Sequence, residues 1–146
     1  MDTVRFSITH ATPGSDLGDE VTIHVNDRLL QELAAEVERP WARAEGKPNL
    51  AGSYAGLQTW ADRDWTGHFL TDPREVWFED GDTVLLGCEC GEWGCWPLTA
   101  DVAVTETTVR WTRFRNGHRE WDLGGLGPFE FDRRQYDAAL EALRDA

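Results

Sequence analysis

The sequence predicts an α+β fold, a mostly antiparallel β-sheet meander with two main helices, one after Asp27 and one at the C-terminus. Three observations predict it. Short runs alternate apolar and polar residues with the period of a strand. Turn-forming Asn, Asp, Gly and Pro separate these runs at short intervals. Two segments instead carry the i, i+3, i+4 spacing of a helix. The 146 residues read as a single domain, 1-146. A chain of this length buries about 68–70% of its unfolded surface, so disulfides are not needed for folding. Eight tryptophans point to an aromatic core, because each ring buries a large area and leaves one N–H to satisfy.

Val4, Phe6 and Ile8 alternate with Arg5, Ser7 and Thr9, and Val21, Ile23 and Val25 alternate again beyond a loop holding Pro13, Gly14 and Gly18. These two strands are expected to pair antiparallel. Asn26 or Asp27 then reads as the cap of a helix. Its apolar face is Leu29, Leu30, Leu33, Ala34 and Val37, with Glu32, Glu36 and Glu38 turned to water. Pro40 ends or kinks it. Trp41 to Glu45 reads as a further turn, and Gly46 as its stop. Lys47 to Glu75 is rich in aromatics without a clean period, and within it Leu57 to Trp65 is a candidate helix. Val76 to Phe78 reads as a short strand, Glu79 to Asp82 as a glycine turn, and Thr83 to Cys90 as the next strand. Cys95 to Thr105 and Thr108 to Arg115 continue the meander to the Asn116–Gly117 turn. A short strand at Phe129–Phe131 leads into the last helix. Asp132 is its N-cap, Gln135 the N3 residue, and Phe131 staples onto Tyr136. Tyr136, Ala139, Leu140 and Leu143 form the apolar stripe.

All three cysteines fall in one stretch, LLGCECGEWGCWPL, from Leu85 to Leu98. With GEWG as a four-residue turn, Cys90 faces Cys95 and Cys88 faces Pro97. Cys88 and Cys90, two apart on a strand, share a face, so the three thiols converge. Pro97 lacks an N–H, which puts both pairs at non-hydrogen-bonded sites with Cα atoms about 4.5 Å apart, at the low edge of disulfide reach. Three chemistries compete. The thiols pack as small buried groups. Alternatively Cys88, Cys90 and Cys95 bind zinc with His68, or His118, as fourth ligand, although C-x-C-x4-C is not the usual knuckle spacing. The third is redox: a Cys90–Cys95 disulfide with Cys88 as resolving thiol. A catalytic thiol is disfavoured, because Glu89 and Glu92 would raise its pKa.

The net charge is −13 and the pI near 4.6. Phosphate backbones and anionic membranes are read by Lys and Arg, so nucleic acid and membrane surfaces are excluded as partners. A basic protein or a cationic ligand fits better. Residues 1–109 carry 7 basic and 20 acidic side chains, whereas 110–146 carry 7 of each. There is no signal-peptide pattern and no apolar run long enough to span a bilayer, so a cytoplasmic location is expected, where thiols stay reduced. Catalytic Ser/His/Asp, phosphate-loop, HExxH and dinucleotide signatures do not occur, so the reading leans away from an enzyme. Trp60, Trp65, Trp93 and Trp121 sit in polar or glycine-rich surroundings and either roof the core or hold a cation or a partner. Trp93 is the one expected to be exposed.

The strings GCECGEWGCWPL and DLGGLGPFEFDRRQYDAAL resemble a family of small uncharacterised bacterial proteins sharing a GCxCGxxGCWPL-type hairpin and a closing LGPFxFD-plus-helix segment. The resemblance covers most of the chain, best from Gly87 onward. It implies a shared fold and no particular activity. The functional expectation is therefore a small acidic binding protein that regulates or antagonises a basic partner. The alternatives are a zinc or thiol-redox protein built on the cysteine hairpin, and a small-ligand binder or enzyme using residues 47–75.

Overall fold

The computed structural model describes residues 1–59 and 65–146. The alternating segments become strands, but they assemble into two antiparallel sheets rather than one. The first contains β1 (Val4–Thr9), β2 (Asp19–Val25), the two-residue β3 (Arg28–Leu29) and β5 (Gln58–Thr59). The second has the order β4–β6–β7–β8–β9, with β4 Tyr54–Gly56, β6 Asp82–Cys88, β7 Leu98–Val104, β8 Thr108–Asn116 and β9 Phe129–Asp132. Two helices, α1 (Leu30–Ala44) and α2 (Arg133–Arg144), complete the α+β fold. Residues 54–59 belong to both sheets: β4 pairs β6, and β5 pairs β2. The sheets come so close at this crossing that a Cβ on Gly56 would stand 1.9 Å from the Val21 carbonyl oxygen.

β1 and β2 pair as expected, with Phe6 opposite Ile23. Asn26 and Asp27 do not cap α1. Both adopt positive φ, 52° and 63°, and form the two-residue turn between Val25 and Arg28, the conformation such turns demand. The N-cap of α1 is Leu29, without a side-chain cap. Pro40 lies inside α1 and does not end it. The stop is Gly46 at φ 71°, whose N–H bonds the Arg43 carbonyl while Lys47 N–H bonds that of Ala42, the double closure that a left-handed glycine permits. Val76–Phe78 is not a strand. Its backbone turns instead, and the buried Asp82 carboxylate accepts the N–H groups of Trp77, Phe78 and Glu79 at 2.9–3.1 Å. Gln58–Thr59 is strand, so the helix expected over Leu57 to Trp65 does not form there; residues 60–64 of that expectation lie outside the described residues.

The core is aromatic. Phe6 stacks near Phe69 at 4.8 Å between centroids, Trp111 meets Phe131 at 4.9 Å, and Phe131 meets Tyr136 at 5.6 Å. The buried polar tips are satisfied in series. Trp111 Nε1–H donates to Tyr136 Oη (3.2 Å), and Tyr136 O–H donates to the Phe69 carbonyl (2.6 Å). Asp132 caps α2 through Gln135 N–H. The Gln135 side chain does not complete a capping box; it grips the backbone of Val4 on β1, accepting from its N–H at 3.0 Å and donating to its C=O at 2.6 Å. Among the described residues, no helix is long and apolar enough to cross a membrane.

Candidate functional site

The cysteines are not on a tight hairpin. Leu86 pairs with Leu98, and Cys88 lies opposite Tyr54 of β4, not opposite Pro97. Residues 89–97 form a loop folded back over the end of β6, closed by a short 3-10 turn at Trp93–Cys95. Glycine makes this fold-back possible. A Cβ on Gly87 would sit 2.7 Å from the Cα of Trp93, so any side chain there would push the loop away.

Neighbouring elements hold the loop. Trp77 packs edge-on against Trp93 and against His118, and its indole N–H donates to the Gly117 carbonyl at 3.0 Å. His118 Nε2–H donates to the Gly94 carbonyl at 2.8 Å, and Gly117 N–H to that of Pro97 at 2.9 Å. His118 thus serves the loop as a strut. It is itself placed by Asn116, whose Oδ1 accepts the His118 backbone N–H at 2.8 Å.

Behind this strut runs a buried polar chain. Asn116 Nδ2–H donates to Tyr54 Oη at 2.9 Å, Tyr54 O–H donates to Glu38, and Gly52 N–H donates to the second Glu38 oxygen at 2.8 Å. Glu38 is fully buried, not turned to water. The signal was available: Leu30, Ala34, Glu38 and Ala42 fall four apart on one stripe of α1, and all four are buried. Burial raises the Glu38 carboxyl above its ordinary value, against the pull of its Tyr54 and Gly52 hydrogen bonds. The Tyr54 phenol is pushed well up, by burial first and then by the Glu38 charge.

The loop brings the three thiols together by a route other than the expected one. All are free; Cys88 is half-buried, while Cys90 and Cys95 are exposed. Cys90 N–H points to Cys88 Sγ at 3.5 Å, and Cys90 Sγ lies 3.9 Å from the Glu92 carbonyl oxygen. Hydrogen bonding with the Glu92 backbone, then with the Cys88 thiol, holds Cys90 below the ordinary thiol value. Burial raises Cys88, and the neighbouring Cys90 thiol, followed by burial, raises Cys95. Of the three neighbouring sulfurs, the exposed Cys90 is thus the one whose thiolate its surroundings favour. Cys88 also lines a cleft of about 230 Å³ with Trp65, Glu75, Glu92 and Trp93.

His68 is not with the thiols. It is buried between Trp65 and Phe69, and both ring nitrogens are engaged. Nε2–H donates to the Val84 carbonyl at 2.7 Å, and Nδ1 accepts the Arg74 N–H at 3.0 Å. Burial lowers its pKa to about 4. It is a structural imidazole that ties the segment before β6 to that strand. Among the described residues, no group of three or more His, Cys, Asp or Glu is arranged to hold a metal ion. Trp93 is half-buried rather than exposed, Trp65 and Trp121 are buried, and Trp41 on α1 is exposed. Trp60 lies outside the described residues.

Fold and site together define a two-sheet α+β protein carrying a surface trio of thiols. No protein-family model, no curated protein and no solved structure matches the chain.

Proposed function

We propose that the protein is a reversible thiol–disulfide switch, with Cys90 as the reacting thiol and Cys95 as its disulfide partner. The observation that carries this is the grouping of exposed Cys90 with two further free thiols in one loop, its N–H 3.5 Å from Cys88 Sγ. A low-pKa, accessible cysteine beside a resolving cysteine is the arrangement of redox sensors. Cys95 is the better partner. It is exposed and five residues away, whereas Cys88 is two residues from Cys90 and half-buried.

With a peroxide as oxidant the step balances. The Cys90 thiolate attacks one peroxide oxygen, the O–O bond breaks, and the leaving hydroxide takes a proton to become water. The sulfur of Cys95 then attacks the Cys90 sulfenic acid, and the sulfenic oxygen leaves as a second water with the Cys95 proton. Two thiols and one hydrogen peroxide become one disulfide and two waters.

The test is a free-thiol count under denaturing conditions, with peptide mapping, before and after stoichiometric hydrogen peroxide. One remaining thiol at Cys88, a Cys90–Cys95 linkage and recovery of three thiols with dithiothreitol support the reading. Three unreacted thiols, over-oxidation without a disulfide, or one zinc per chain in protein purified without chelator overturn it.

The charge supports a second reading, a basic protein partner held by the acidic portion of the chain. Such a complex weakens steeply as salt is added. A pull-down at low ionic strength that recovers no basic protein counts against it.

A further inference from the structure

A second cleft lies on the electrostatically balanced part of the chain, and no cysteine lines it. A regular strand over Thr108–Asn116 would alternate throughout, placing Trp111, Arg113 and Arg115 on one face. It does not. Asp101 pairs with Thr112 and Thr99 with Arg115, so Ala100 alone opposes both Arg113 and Phe114. This is a β-bulge, and Arg113 takes the positive φ, 53°, that such a bulge uses. The alternation resets there. Trp111, Phe114 and Asn116 are buried, while Arg110, Arg113 and Arg115 all lie on the outer face.

Those three arginines line a cleft of about 390 Å³. Its other wall is the glycine-rich corner, with Trp121, Leu123 and Leu126. Its one lining carboxylate, Asp122, accepts the Gly124 N–H at 2.8 Å. Arg113 is braced by Asp101 and Asp80, and Arg115 by Asp80. Glu130 stands opposite Arg110 in the β8–β9 register, yet Arg110 forms no ion pair among the described residues. The cleft thus combines an apolar wall, two braced guanidiniums and one guanidinium without an ion pair among the described residues, on a chain whose net charge is −13.

We propose that this cleft binds a small organic anion: an apolar or aromatic body against Trp121, Leu123 and Leu126, and a carboxylate or phosphate on Arg110. Planar guanidinium forks match both groups, and the volume suits a ligand at the small end of the usual range. The net charge of the protein repels anions at long range, so the site selects for the apolar body as well as for charge.

The experiment titrates the full chain with benzoate, phenyl phosphate and neutral benzamide, following backbone and indole N–H signals by NMR. Saturable shifts confined to residues 110–115 and 121–126 with benzoate or phenyl phosphate, and none with benzamide, support the proposal; the tighter of the two names the anionic group. Arg110→Gln is expected to weaken binding about fivefold, and Thr112→Trp, which fills the cleft from a half-buried position on its lining, to abolish it. Equal shifts with benzamide, no saturable shift, or undiminished affinity in both variants overturns the proposal. The thiol count is independent of every arm.

Discussion

The two edges of the five-stranded sheet are held by different physics. At the β8–β9 edge the aromatic cluster of Trp111, Phe131 and Tyr136 excludes water over a large apolar area, and its polar tips close on one another. At the β4–β6 edge the thiol loop leans on Trp77 and on a series of polar contacts: Glu38, Tyr54, Asn116, His118, then the Gly94 carbonyl. Apolar packing is non-directional and tolerates small shifts. A hydrogen-bond series does not, because each buried group it orphans carries a full desolvation cost. The first edge should therefore dominate stability, and the second should govern the position and reactivity of the thiols.

The largest expected effect tests the first half of that contrast. Trp111→Ala should cost roughly 4 kcal/mol, the scale of large aromatic truncations in cores, read as a drop in the denaturant midpoint. A loss below about 1 kcal/mol would break the contrast.

Acid should strike the second edge. His68 is neutral in the fold with a pKa of about 4, below its ordinary value near 6.5. Between those values the unfolded chain binds more protons than the folded one. The stability His68 contributes is therefore complete above about pH 6.5, falls as the pH drops, and is gone below about pH 4. The shift corresponds to about 3 kcal/mol. Unfolding curves at pH 7, 5.5 and 4 should show the slope, and His68→Gln should flatten it. An unchanged slope in the variant would remove His68 from this role.

Glu38→Leu should cost about 2 kcal/mol, because it orphans the Gly52 N–H and the Tyr54 O–H while relieving the burial that raises the carboxyl pKa. It should also quicken alkylation of Cys90 and Cys95 by loosening the strut. Destabilisation without a change in alkylation rate would uncouple the polar chain from the thiols. The smallest effect belongs to the packed edge: Asp132→Ala should cost about 1 kcal/mol by removing the cap on Gln135 N–H and leave thiol reactivity unchanged.

Much of the packed edge was legible. The β7–β8 connection, the strand at Phe129–Phe131, the Asp132 cap and the Phe131–Tyr136 staple are local patterns within a few residues of one another. The β4–β6 edge was not. The convergence of Cys88, Cys90 and Cys95 was expected, but through a four-residue hairpin; the structure achieves it with a loop braced from β8 and from Trp77. His68 was grouped with the thiols by residue type, whereas Val84 and the Arg74 backbone claim both its nitrogens.

The sequence by itself determined the α+β class, the β1–β2 pair and the capped C-terminal helix. These follow from side-chain period and hydrogen bonds spanning three or four residues. Only the tertiary structure decided that there are two sheets, that the thiol loop is braced from β8 and Trp77, and that three arginines share one face. Each of those depends on pairing register, or on which surface covers another. Register and cover are set by partners tens of residues away, so local periodicity carries no record of them.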